Sequence, residues 1–230
     1  MNYLYWIINL GSISVPFLFS FHPKLNFNKQ FKYAWPAIGI VAAIFILWDI
    51  RYTHLGVWGF NPKYLSGLYL YNLPIEEVFF FICIPFSCLF THHCFEVLIN
   101  KDIFRKAEKF ITPLFIASMV LLAFVSNFKL YTFYTCLSLG ILLAILKYII
   151  KVDWLNRFYF SFLILLIPFT ITNGILTGTG LDEPVVWYNN SENLGIRLLT
   201  IPVEDIFYGC LLILLNVTIY EKLRNRKQII

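Results

Sequence analysis

Seven runs of about 17 to 22 predominantly apolar residues, at roughly 3–20, 33–50, 74–95, 110–127, 130–150, 156–174 and 201–220, leave this chain few folds to choose from. Each run is long enough for a helix to cross a hydrocarbon layer. Only helices or closed barrels satisfy the backbone there. The chain is 59% hydrophobic, 19% aromatic and 13% charged, with a mean hydropathy of +0.72, outside the range of a water-soluble domain. The expected fold class is therefore an all-α polytopic membrane protein. The net charge of +5 then reports orientation, and no basic cluster interleaved with exposed aromatics suggests nucleic acid. The break between the fourth and fifth runs rests on Ser126 to Lys129 alone. Met1 to Tyr5 carry no positive leader segment and no cleavage site follows, so the first run reads as a retained helix. Five cysteines, none in a C-x-x-C pair, read as free thiols inside the apolar spans.

Counting Lys and Arg by loop gives 14 on one side of the membrane and 4 on the other. By the positive-inside rule the N-terminus is outside and the C-terminus cytoplasmic. The membrane itself reads as the bacterial cytoplasmic one.

Against this apolar background two short acidic motifs stand out. Pro74-Ile75-Glu76-Glu77 opens span 3 and Pro202-Val203-Glu204-Asp205 opens span 7, and the register between them is constant at 128 residues. Phe60 aligns with Tyr188, Asn61 with Asn189, Gly67 with Gly195 and Phe79 with Phe207. The expected organisation is a first repeat at 1–96, a linking segment with the fourth helix at 97–129, and a second repeat at 130–230. Spans 1–3 and 5–7 would be parallel repeats about an axis along the membrane normal, with a site at their interface.

Carboxylates at membrane depth are costly and point to function. Proline suits the first turn of a helix, which puts Glu76, Glu77, Glu204 and Asp205 in first turns. One reading is that they only cap their helices, yet a cap accounts for one acid per helix and not for two. The other reading is a dry site in which one carboxyl stays protonated while a neighbour is ionised, supplying a general acid and a general base. Phe79 and Phe80 fall three and four residues after Glu76, and Phe207 and Tyr208 after Glu204, so a cation formed there meets aromatic faces. A carbocation made by protonating an alkene fits. The loops before each motif, from His54 to Pro62 and from Asn173 through Val186-Trp187-Tyr188-Asn189, read as a lid folding back over the acids.

Other polar residues read more plainly. Asp49 and Arg51 suit an interfacial ion pair or snorkelling cap, and Asn173 holds the place equivalent to Asp49 at the end of span 6. Arg197 could neutralise an acid or anchor to lipid headgroups. His92 and His93 read as interfacial. No metal cluster has ligand spacing, and Gly178 and Gly180 lack the third glycine of a dinucleotide fingerprint, so no metal, flavin or nicotinamide is expected.

Together, Pro74 to Glu77, Pro202 to Asp205, Asn173-Gly174-Ile175-Leu176-Thr177-Gly178, Val186 to Asn189 and Arg197 resemble the membrane-integral lycopene cyclase domain family, in its fused single-chain form. The resemblance implies carotenoid end-group cyclisation, most simply lycopene β-cyclase activity of the isomerase (intramolecular lyase) class, without cofactor. It places acidic function on Glu76, Glu77, Glu204 and Asp205. Substrate contacts are expected from Phe79, Phe80, Asn173, Trp187, Tyr188, Asn189, Arg197, Phe207 and Tyr208. Expected partners are lycopene or a related linear carotenoid in the bilayer, membrane lipids, and other enzymes of carotenoid synthesis. Retinal-type and Glu-Glu-x-x-x-Arg protease readings are disfavoured, since span 7 has no lysine before its cytoplasmic end and position 81 is Phe. A proton-coupled transporter is the alternative; it would carry polar residues on toward the cytoplasm.

Overall fold

A computed structural model describes residues 3–99 and 103–225. Lys101, Arg226 and Lys227, used in the charge count, lie outside the described residues. Seven α-helices appear among the described residues: α1 (Leu4–Phe19), α2 (Phe31–His54), α3 (Ile75–Leu98), α4 (Arg105–Val125), α5 (Leu130–Ala144), α6 (Leu155–Leu176) and α7 (Val203–Asn225). Six are long and apolar enough to cross a membrane; α1, with 16 residues, is shorter. A π-helical turn, Ile145–Ile150, extends α5 to the expected end of its span.

The connection between α4 and α5 is as tight as the sequence suggests. Asn127 and Phe128 adopt left-handed backbone angles, φ 52° and 58°, which reverse the chain at once. The strongest helix pairing in the molecule follows from this, α4 lying along α5. Elsewhere α1 packs on α3, α2 on α3 and α7, α5 on α7, and α6 on α3 and α7.

The core at the centre is built from α2 to α7, with Phe45, Phe81, Phe86, Phe158 and Tyr220 fully enclosed. Prolines within spans are tolerated because neighbours satisfy the backbone groups they free. Pro16 leaves the Ser12 carbonyl without its helical donor, and the Ser87 hydroxyl of α3 donates to it at 2.9 Å. A sequence kink thus becomes a contact between α1 and α3.

His92 and His93 are both buried, His92 Nδ1 lying 3.0 Å from the Ser161 hydroxyl and His93 Nε2 2.8 Å from the Leu25 carbonyl. All five cysteines are free.

The loops before the acidic helices fold into short strands: β1 (Trp58–Phe60), β2 (Tyr69–Leu70), β3 (Leu73–Pro74), β4 (Val186–Tyr188), β5 (Arg197–Leu198) and β6 (Ile201–Pro202). β2 and β3 form one hairpin and β5 and β6 another, each running directly into its acidic helix. The two hairpins match in detail at the 128-residue offset. Gly67 and Gly195 have positive φ, as do the turn residues Tyr71 and Leu199; Ile75 N donates to Leu68 O and Val203 N to Ile196 O. Pro74 therefore ends a strand and caps α3, instead of occupying its first turn. β1 and β4 join the two loops antiparallel, with Gly59 opposite Trp187. Asn61 N donates to Val185 O and Asn189 N to Val57 O, again equivalent positions.

Candidate active site

A cavity of about 540 Å³ lies between the helices that carry the acids. Its upper end is lined by Asp49 of α2, Glu77 of α3 and Asp205 of α7, with Tyr5, Trp58, Tyr131, Tyr188 and Tyr208 around them. Along α3 the lining continues through Phe80, Ile84, Ser87 and Cys88 to Thr91. Fourteen residues of helix separate Glu77 from Thr91, about 21 Å at 1.5 Å per residue. The cavity is thus a slot with acids at one end. α1 and α6 both lean on α3 and both line the slot, and Ile7 of α1, 59% exposed, stands at its edge.

Adjacent acids within each motif have separate surroundings, because successive helical residues point about 100° apart. Glu76 turns toward its hairpin, and its Oε1 accepts from Ser66 N at 2.6 Å. Glu204 does the same with Leu194 N at 2.7 Å and adds Thr132 Oγ1 at 2.6 Å. Both are fully buried, and neither lines the cavity. Glu77 and Asp205 face the slot. Tyr5 donates to Glu77 Oε2. Asp205 accepts from Tyr131 at 2.6 Å, Asn173 Nδ2 at 2.7 Å and Tyr188 at 2.9 Å. Among the described residues no hydrogen bond joins these four carboxylates to the N–H groups of their own helices, though all four lie in first turns. Burial and the nearby Asp205 push the Tyr188 hydroxyl well above the ordinary tyrosine range, so it stays a donor.

Of the residues expected at the site, Glu77, Asp205, Phe80, Asn173, Tyr188 and Tyr208 line one cavity. The others have different neighbours. Phe79 is 39% exposed and packs on Trp6 with ring centroids 4.9 Å apart. Phe207 lies near Phe115. Trp187 covers Gly59, where an added Cβ would meet its ring at 2.3 Å. The Asn189 side chain accepts from Ser191 N and Oγ, as a turn former. Arg197 donates to Thr200 O at 3.0 Å and Asn190 Oδ1 at 2.8 Å and stacks on Tyr188, bracing the second hairpin without touching an acid.

Asp49 is the clearest difference from the sequence expectation. Arg51 is exposed, whereas Asp49 is 3% exposed, lines the cavity, and accepts from the Tyr208 hydroxyl at 2.7 Å. Two helical positions apart, the side chains point to opposite faces, which rules out the ion pair. Tyr5 and Tyr131 also escaped sequence reasoning. They sit in the first turns of α1 and α5, where tyrosine reads as an interfacial anchor. The usable signal was their similar placement before the two motifs.

Among the described residues no group of three or more His, Cys, Asp or Glu is arranged to hold a metal. The sequence matches the lycopene cyclase family over residues 2–95 and again over residues 128–223. No match was found among curated proteins or among solved structures. The two matched segments span most of the chain, and each delivers one acidic helix to the shared cavity, so the chain belongs to the lycopene cyclase family.

Proposed function

We propose that this membrane protein closes the linear ψ ends of a carotenoid, lycopene first among them, into β-ionone rings by acid–base isomerisation. The observation that carries the reading is the slot, apolar along its length and acidic at one end only. A polyene lies along α3 with its ψ end among the carboxyls. About 21 Å of helix is lined, so the remainder of the chain leaves toward the bilayer between α1 and α6.

A carboxylic acid adds a proton to the CH carbon of the terminal double bond, placing positive charge on the dimethyl carbon. The next double bond along the chain attacks that carbon and closes a six-membered ring, which moves the charge to the methyl-bearing ring carbon. A carboxylate removes the adjacent ring proton and leaves the β double bond. One proton enters and one leaves, with no net redox change, so the chemistry calls for no cofactor. A carboxylic acid is a weak donor to an alkene. Concerted closure, a dry site and the tyrosine and tryptophan rings around the cation lower the barrier.

Below Glu77 and Asp205 the cavity lining contains no charged side chain. A proton path to the cytoplasm would need a continuous run of polar groups, and a predominantly apolar lining with scattered Ser12, Ser87 and Thr91 favours the cyclase over a proton-coupled transporter.

The acids are placed at the outer end of the membrane, with a cytoplasmic C-terminus, on the strength of the charge count. The repeats are placed about a two-fold axis along the membrane normal. Two contacts between residues 128 apart support this axis, Gly59 against Trp187 at one face and Glu96 bound to Arg224 at 2.6 and 2.7 Å at the other.

The test is expression in cells that accumulate lycopene, followed by pigment chromatography. Monocyclic or bicyclic β-ring products are expected. Unchanged lycopene beside folded, membrane-inserted protein would sink the reading.

A further inference from the structure

We propose that Asp49 is a catalytic residue: with Glu77 it forms a hydrogen-bonded carboxyl pair that stores the proton given to the substrate, while Asp205 takes the ring proton. The inference rests on the cyclase reading of this cavity and names the donor and acceptor within it.

Three carboxyls line the slot, and no lysine, arginine or histidine does. The Asp49 and Glu77 carboxyls line the same end of the cavity, close enough to interact directly. Ionised carboxylates only accept hydrogen bonds, so a bond between two of them requires a proton on one. Two buried like charges in contact would repel strongly in this medium. The pair therefore holds one proton and one negative charge. Each member takes a further donor, Tyr5 of α1 on Glu77 and Tyr208 of α7 on Asp49. The remaining titratable groups of the upper cavity are Tyr131 and Tyr188, and both donate to Asp205.

Asp205 lives in the opposite setting. Three donors converge on its two oxygens, one of them the Asn173 amide at 2.7 Å. Donors on both oxygens favour the charged form, which suits a group that accepts a proton.

The step balances. The proton passes from the Asp49–Glu77 pair to the terminal alkene carbon, and the pair becomes doubly ionised as the substrate becomes a cation beside it. Ring closure moves the cation, and Asp205 takes the proton from the ring carbon as the new double bond forms. The cavity then holds as many protons as before. Repulsion within the ionised pair drives the proton back from Asp205, which restores the starting state.

The test uses full-length protein in lipid nanodiscs with lycopene as probe. Asp49→Asn should lower kcat by about 10²- to 10⁴-fold, the range of general acid catalysis, with KM unchanged. An infrared band of a protonated carboxyl, shifted by D2O, should be present in the substrate-free wild type and in Asp205→Asn. One component of it should be missing from Asp49→Asn. Asp49→Glu, which restores the pair, should recover part of the turnover. Absence of any such band from the wild type overturns the proposal whether or not a variant folds. A full band in Asp49→Asn with lost turnover also overturns it, since Asp49 would then only position Tyr208. Near-normal turnover in Asp49→Asn overturns the role of Asp49 and leaves the cyclase reading standing; lycopene unchanged by the wild type removes both.

Discussion

In the first half of the cavity Glu77 meets Tyr5 and a second carboxyl, Asp49; in the second half Asp205 meets Tyr131 and an amide, Asn173. Each side has a hairpin, an inward acid and a hairpin-bound acid. The sides differ in the polar group at the end of the preceding helix, in Tyr188, which donates to Asp205 where the equivalent position 60 is Phe, and in Thr132, which donates to Glu204. On the mechanism proposed above an acid at that helix end shares a proton with its neighbour, whereas the Asn173 amide turns its N–H toward Asp205. On that proposal a duplicated frame carries a proton source on one side and a proton sink on the other.

The largest effects should come from the two inward acids. Glu77→Gln and Asp205→Asn should each reduce cyclisation by about 10²- to 10⁴-fold, measured by chromatography on membranes with matched protein content. Activity surviving in either would break the division into source and sink.

Converting the second half into a copy of the first tests the comparison directly. Asn173→Asp should let Asp205 share a proton and lose its readiness to accept one. A fall of about 10²-fold is expected, larger than for Asn173→Leu, which removes one donor without adding an acid.

The contact between the halves should matter for stability. Gly59→Ala places a methyl against the Trp187 ring and should cost about 1–3 kcal/mol through overpacking. Trp187 is partly exposed, so the low end of that range is expected; thermal unfolding in detergent reads it.

The smallest effects belong to the acids turned away from the slot. Glu76→Gln and Glu204→Gln keep an acceptor for the hairpin N–H but weaken a charge-assisted bond, at about 1 kcal/mol each. Glu204, with two donors, should be the more sensitive. Cyclisation by the folded fraction should persist. Loss of activity in these variants without loss of stability would return them to the chemistry.

Much of the architecture was readable along the chain, because a membrane allows few ways to satisfy a backbone. The seven apolar runs predicted helices whose ends agree within a few residues, and the constant offset between Glu76 and Glu204 predicted equivalent environments. The site was readable only in part. Asn189 and Arg197 carry polar groups that a sequence cannot direct, and the folded loops spend them on turns. Asp49 and Arg51, two positions apart, look like partners in one dimension; on a helix they face opposite ways.

The sequence by itself determined that this protein is a helical membrane protein with two acidic motifs in fixed register, since hydropathy and spacing are local and one-dimensional. Which of each adjacent pair faces the slot was decided by tertiary structure. So was the arrival of Asp49 beside Glu77 and of Asn173 beside Asp205. Those pairs join residues 28 and 32 positions apart on different helices, and only helix packing brings the groups together.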